Sequence, residues 1–204
     1  MNKAVAFATG IYFALASYPG RADDSNTEDR VNRATHVCAV CHGEGGNSSL
    51  PQFPNLAGQR ALYTIQQLKL FRGQTRVEAD PQAYMWGVSA LLDDEIIRGL
   101  AEYYEAQTPA PGKTEKPKLV EKGKIIYKNG IPSKNVAACA SCHGENGEGA
   151  SVFPRLAGQH AVYLIGQLQT FRYKLRPYSV IMIGITKNMT RDEMEAVAFY
   201  LQSI

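Results

Sequence analysis

All four cysteines of the chain fall in two short stretches, Cys38-Ala39-Val40-Cys41-His42 and Cys139-Ala140-Ser141-Cys142-His143. On a helix, residues three apart share a face, so the two thiols of each stretch reach the two vinyl groups of one porphyrin. The histidine that follows is placed to take the iron from one side. This is the attachment signature of a c-type haem. A four-cysteine zinc site or two disulfides would use the same residues, but neither explains a histidine after each pair. The reading is therefore two covalently bound haem c groups, anchored by Cys38, Cys41, Cys139 and Cys142, with His42 and His143 as axial ligands.

The motif is one part of a longer repeat. Residues 53–72 read FPNLAGQRALYTIQQLKLFR and residues 153–172 read FPRLAGQHAVYLIGQLQTFR, with 13 of 20 positions identical at an offset of 100. Towards the end of each half the offset becomes 97, which sets Leu92 on Met189 and Tyr103 on Tyr200. The chain is thus a tandem duplication of a unit of about 85 residues, small enough that its own core is marginal. A buried porphyrin supplies apolar contact that such a unit lacks.

The repeat also selects the sixth ligands. Met85 is the one methionine between His42 and residue 108, and the offset of 97 carries it to Met182 rather than to Met189 or Met194. The latter two lie on the final helical pattern, where a methionine serves as core filler. His36 and His160 offer bis-histidine ligation as the competitor. They are not repeat mates, and His36 precedes His42 by six residues on the same helical segment, too close to reach the opposite haem face. Methionine–histidine ligation fills both axial positions and raises the reduction potential. That favours electron transfer over substrate chemistry at iron. Around each iron, the carbonyls of Pro54 and Pro154 are candidates to accept the other ring N–H of the axial histidine. Tyr63, Arg72, Tyr163 and Arg172 are candidates to bind haem propionates, or else are packing tyrosines and solvated arginines.

The elements needed to position these groups are helical. Ser25 and Glu28 form a capping-box pattern for a helix running towards Cys38. Residues 60–72 have helical periodicity, with Gly73 as the stop. Asp80-Pro81 resembles an N-cap followed by proline at the first helical position, just ahead of Met85. Residues 93–107 form an amphipathic helix with acidic residues in its first turn. Residues 108–118 are rich in proline and lysine without apolar periodicity, a linker pattern. The sequence then restarts with a helix over 119–129, stopped by Gly130, and ends on a helix opened by the capping box Thr190-Arg191-Asp192-Glu193. The boundaries are a segment 1–22, a first domain 23–108, a linker 109–118 and a second domain 119–204.

Segment 1–22 has Lys3, an apolar run over residues 4–17, a Pro19-Gly20 break and small Ala22 before Asp23-Asp24. This is a secretory signal pattern, and the run is short of the roughly 20 residues of a spanning helix. It places the chain in the periplasm, with cleavage after Ala22. Hydrophobic residues make up 45% of the chain and charged residues 20%, as in ordinary globular proteins, and the net charge of +3 gives no case for a nucleic-acid partner. The charge is unevenly spread. Residues 23–109 carry −5 and residues 110–204 carry +6, an asymmetry able to orient docking.

With both haem motifs, both Phe-Pro-x-Leu-Ala-Gly-Gln loops and the two methionines in place, the chain resembles the dihaem cytochrome c4 family over essentially its whole mature length. The resemblance implies an all-α fold of two tandem class I cytochrome c domains about a pseudo-twofold axis, their haem edges close. It implies the ligand pairs His42 with Met85 and His143 with Met182, and the proline carbonyls of Pro54 and Pro154. It also implies a periplasmic electron carrier, not an enzyme, serving a terminal oxidase from a respiratory donor such as a quinol-oxidising complex or a dehydrogenase. Peripheral association with the membrane is compatible with that role. The sequence departs from the family's pattern at Trp86-Gly87-Val88-Ser89 after the first methionine and at Ile181 before the second, which leaves the two loop shapes and potentials open. The alternative is an electron-accepting subunit of a dehydrogenase acting on a sulfur compound or an alcohol. A dihaem peroxidase is a third reading, and it needs a labile axial position.

Overall fold

The computed structural model describes residues 27–204, leaving aside the side chains of Asp80 and Pro81. The signal segment and Ser25, the expected first cap, lie outside those residues. The first half contains α1 (Thr27–His42), α2 (Ala61–Arg72), α3 (Ala79–Ala83), α4 (Met85–Ala90) and α5 (Asp94–Ala106). The second contains α6 (Pro117–Asn129), α7 (Ala140–His143), α8 (Ala161–Arg172), α9 (Val180–Thr186) and α10 (Arg191–Ser203). No strand forms among the described residues beyond two isolated bridges.

The helix ends follow local chemistry. Asp93 caps α5 by accepting from the N–H groups of Glu95 and Ile96 at 3.1 and 2.9 Å, so orphan donors of the first turn are satisfied. Thr190 and Glu193 form the capping box of α10 in full. Gly130 ends α6 at φ 68°, and a Cβ there would meet Val136 O at 2.2 Å. Gly73 differs from expectation. It follows α2 at φ −79°, and the left-handed position falls one residue later, on Gln74, as on Lys174 in the repeat. Helix α3 begins at Ala79, one residue before the expected cap at Asp80.

In each half the first and last helices cross and bury the core. Ile96, Leu100 and Tyr104 of α5 pack on Val31, Ala34 and Cys38 of α1. In the second half Ile126 and Tyr127 of α6 join Met194, Val197 and Leu201 of α10. Met189 and Met194 are buried in this core.

The halves face each other through the repeated loops. Gln159 accepts from Asn55 N–H and donates to Asn55 O, both at 2.9 Å. Its mate Gln59 accepts from Arg155 N–H at 2.8 Å and donates to Arg155 O at 3.0 Å. The reciprocity of these four bonds is the local expression of the pseudo-twofold axis. His160 bridges the halves by donating Nε2–H to Ser48 O at 2.9 Å.

Candidate haem sites

The proximal side is built the same way twice. His42 ends α1 and donates Nδ1–H to Pro54 O at 2.9 Å, while His143 ends α7 and donates to Pro154 O at 3.1 Å. Each ring has a phenylalanine edge-on at 6.2 Å, Phe53 and Phe153 respectively. With Nδ1 committed, Nε2 is the nitrogen left for iron. Burial holds both imidazoles below their ordinary pKa, against the raising effect of the proline carbonyls. They are neutral at pH 7, as a metal ligand must be.

The cysteines are positioned beside their histidines. Cys38 and Cys41 lie on α1, one turn apart. Cys139 caps α7 and Cys142 lies within it. None of the four pairs as a disulfide. Burial pushes the Cys139 thiol up to about 11 and raises that of Cys38, which hydrogen-bonds Tyr104. No cluster of three or more histidine, cysteine or acidic side chains is arranged to hold a bare metal ion among the described residues. Two pairs in separate halves, each beside its own histidine, fit two porphyrins and not one shared zinc.

The methionines open two matching short helices. Met85 is the first residue of α4, and Met182 lies in the first turn of α9. Sequence reasoning missed what anchors them. Ser89 donates its hydroxyl to Met85 O at 2.6 Å, and Thr186 donates to Met182 O at 2.8 Å. Both hydroxyl residues are fully buried, and they are mates at the offset of 97 that paired the methionines. That register was the available signal. His36 is exposed on α1.

Arg72 and Arg172 each reach a main-chain carbonyl. Arg72 donates to Leu92 O at 2.8 Å and to Asp94 at 2.6 Å, and Arg172 donates to Met189 O at 3.1 Å. The two acceptor carbonyls are repeat mates, so the arginines tie the end of α2 or α8 to the start of the last helix. Tyr63 and Tyr163 lie elsewhere, between the halves, near Arg76 and Arg176.

A family profile described as Cytochrome c matches residues 120–204. The chain is 35% identical to cytochrome c4 of Azotobacter vinelandii over 82% of its own length and 84% of that protein. It is 34% identical to the thiosulfate dehydrogenase electron acceptor of Stutzerimonas stutzeri over 96% of its length and 93% of that protein. The structure superposes on the solved cytochrome c4 of Acidithiobacillus ferrooxidans with a TM-score of 0.79 at 39% identity, covering 83% of this chain and 99% of the other.

Proposed function

Because the chain belongs to the cytochrome c4 family and carries two covalent haem c groups, we propose that it works in the periplasm, taking single electrons from a respiratory donor and passing them to a terminal oxidase. The observation that carries this reading is the duplicated proximal clamp, His42 on Pro54 O and His143 on Pro154 O, with a methionine on the matching helix of each half. The haems supply the reversible Fe(III)/Fe(II) couple. The chain's own residues do the rest. Cys38 with Cys41, and Cys139 with Cys142, hold each porphyrin through thioethers. His42 and Met85, and His143 and Met182, would hold the two irons. With a histidine and a methionine on each, the haems would supply single-electron exchange rather than a site for oxygen or peroxide. The hydrogen-bonded loops between the halves keep the two sites in fixed register, which suits transfer within the molecule.

The test is a redox titration of the mature protein with mass measurement. Two haems per chain, a methionine-to-ferric-haem charge-transfer band at two-haem intensity, and an N-terminus at Asp23 in the periplasmic fraction are the expected results. Met182→Ala removes half of that band and lowers one potential. An unchanged spectrum would refute the assignment.

A second reading is supported by the likeness to a protein named as thiosulfate dehydrogenase electron acceptor. In it the chain accepts electrons directly from a dehydrogenase partner. Stable co-purification with such an enzyme, and thiosulfate-driven reduction of both haems, favour this reading over the free carrier.

A further inference from the structure

The two methionine helices are not held equally. Between the mates Glu78 and Tyr178 and the methionines, the first half has residues 79–84 and the second half has residues 179–181. The longer stretch folds as α3, which packs on α4. Gln82 of α3 donates to Val77 O at 2.9 Å. In the shorter stretch α9 begins at once, on Val180.

Trp86 adds a second tie. It follows Met85 on α4 and donates its indole N–H to Arg76 O at 3.0 Å. Arg76 is a fixed point. It is 3% exposed, its guanidinium stacks on Phe71 at 4.3 Å, and it donates to Glu78, Gln67 and Gln167 at 3.0–3.1 Å. Glu78 in turn is 4% exposed and stands 4.0 Å from Arg176 Nε, whereas its mate Tyr178 is 66% exposed. Through Trp86, helix α4 is thus bound to a residue gripped by both halves.

At the position of Trp86 the second half has Ile183, whose side chain carries no donor. The carbonyl of Arg176, mate of the acceptor, instead takes the main-chain N–H of Ser179 at 3.0 Å, and Ser179 precedes α9. What the two helices share is the buried hydroxyl on the methionine carbonyl, Ser89 in one and Thr186 in the other. A segment with fewer ties opens locally at a lower free energy than the rest of the fold.

Resting on the reading of two methionine–histidine haems, we propose that Met182 is the exchangeable axial ligand. Helix α9 opens locally and gives up Met182 to a small neutral nitrogen donor, while α4 keeps Met85 in place. The exchange is a substitution without change of oxidation state. The donor's lone pair replaces that of the thioether sulfur, and His143 stays on its own side. Trp86 is a positioning residue for Met85. The second half is thereby a site for small nitrogen ligands that the first half resists.

The test is a titration of the ferric dihaem protein with imidazole, read at the methionine-to-iron charge-transfer band. The band is expected to fall in two equal steps, set apart in imidazole concentration by roughly fivefold, the factor that one net hydrogen bond supplies. Met182→Ala removes the sensitive step and Met85→Ala removes the resistant one. Trp86→Phe moves the resistant step down by roughly fivefold and leaves the sensitive step where it was. Gln82→Ala, at an exposed side chain, moves the resistant step the same way by less, and it decides the matter should Trp86→Phe fail to load both haems. A single step for both halves, or loss of the sensitive step in Met85→Ala, overturns the proposal. So does a loaded Trp86→Phe protein of lowered Tm with both steps unmoved, which leaves Trp86 a packing residue. Absence of the two-haem methionine band before imidazole is added instead overturns the ligand reading on which the proposal rests.

Discussion

In the first half a single 16-residue helix, α1, carries both the core-facing residues and the haem motif. In the second half those two tasks are split. Helix α6 packs the core, Gly130 turns the chain, and a four-residue helix, α7, presents Cys142 and His143. The crossing of first and last helices is inverted as well. Gly99 of α5 makes room for Val31 of α1, whereas in the second half Gly123 of α6 makes room for the backbone of α10 at Ala196, the repeat mate of Gly99. Yet the two proximal clamps differ by only 0.2 Å in the histidine–carbonyl distance, 2.9 against 3.1 Å. The haem-binding loop and the methionine helix have kept their geometry while the scaffold behind them was rebuilt. A ligand set tolerates little displacement, but a helix crossing needs only that small meets large.

Substitution at the two crossing glycines separates the halves most strongly. A Cβ on Gly123 would lie 2.0 Å from Ala196 O, a main-chain atom that cannot step aside. Gly123→Ala is expected to cost about 3 kcal/mol and to unfold the second half first, read as early loss of that haem's circular dichroism on heating. Gly99→Ala meets the end of the Val31 side chain at 2.4 Å, which can rotate, and costs about 1 kcal/mol. Equal damage from the two would break the contrast.

The reciprocal glutamines are expected to behave alike. Gln59→Ala and Gln159→Ala each leave one buried N–H and one carbonyl of the opposite half without a partner, at about 1–3 kcal/mol. Denaturant unfolding should give matching losses and, in both variants, a separation of the transition into two phases. A smaller effect is expected behind the methionines. Ser89→Ala and Thr186→Val each remove one hydrogen bond, worth about 1 kcal/mol, and lower the temperature at which the methionine-to-iron band disappears.

The smallest effect is at Asp94, whose repeat position holds Arg191. Hydrogen bonds from Lys69 and Arg72 hold its carboxyl at about 2, below the ordinary 3.8. A depressed carboxyl contributes stability above its ordinary value and loses it as pH falls through the folded value. Asp94→Asn should therefore lower Tm slightly near neutrality, because exposed ion pairs are weak, and the difference from wild type should close as pH approaches 2.

Reading the sequence and reading the structure succeed at different ranges. The duplication supplied a register that ranked Met182 above Met189 and Met194, and the latter two are core residues of the second half. Local patterns also gave the helix starts at Asp93 and Thr190, because a cap is a contact between residues two or three apart. For Arg72 and Arg172 the sequence named no main-chain partner. Their acceptors, Leu92 O and Met189 O, lie 20 and 17 residues away and are main-chain atoms without a signature. Arg76 and Arg176 went unremarked, although they continue the offset of 100 just beyond the aligned segment. An arginine in a loop reads as solvated unless something shows that it is buried.

The sequence by itself determined how many haems the chain binds and that the chain is one unit used twice, and it named the thiols and histidines proposed to hold them. Covalent attachment and helical spacing are short-range demands that must be written in adjacent residues. The tertiary structure alone decided how the halves meet, through Gln59, Gln159 and His160, and that Glu78 is shut between two arginines while its mate at Tyr178 faces solvent. Apart from the bond of Glu78 to nearby Arg76, those contacts join residues about a hundred positions apart, and burial exists only once the chain has closed around them.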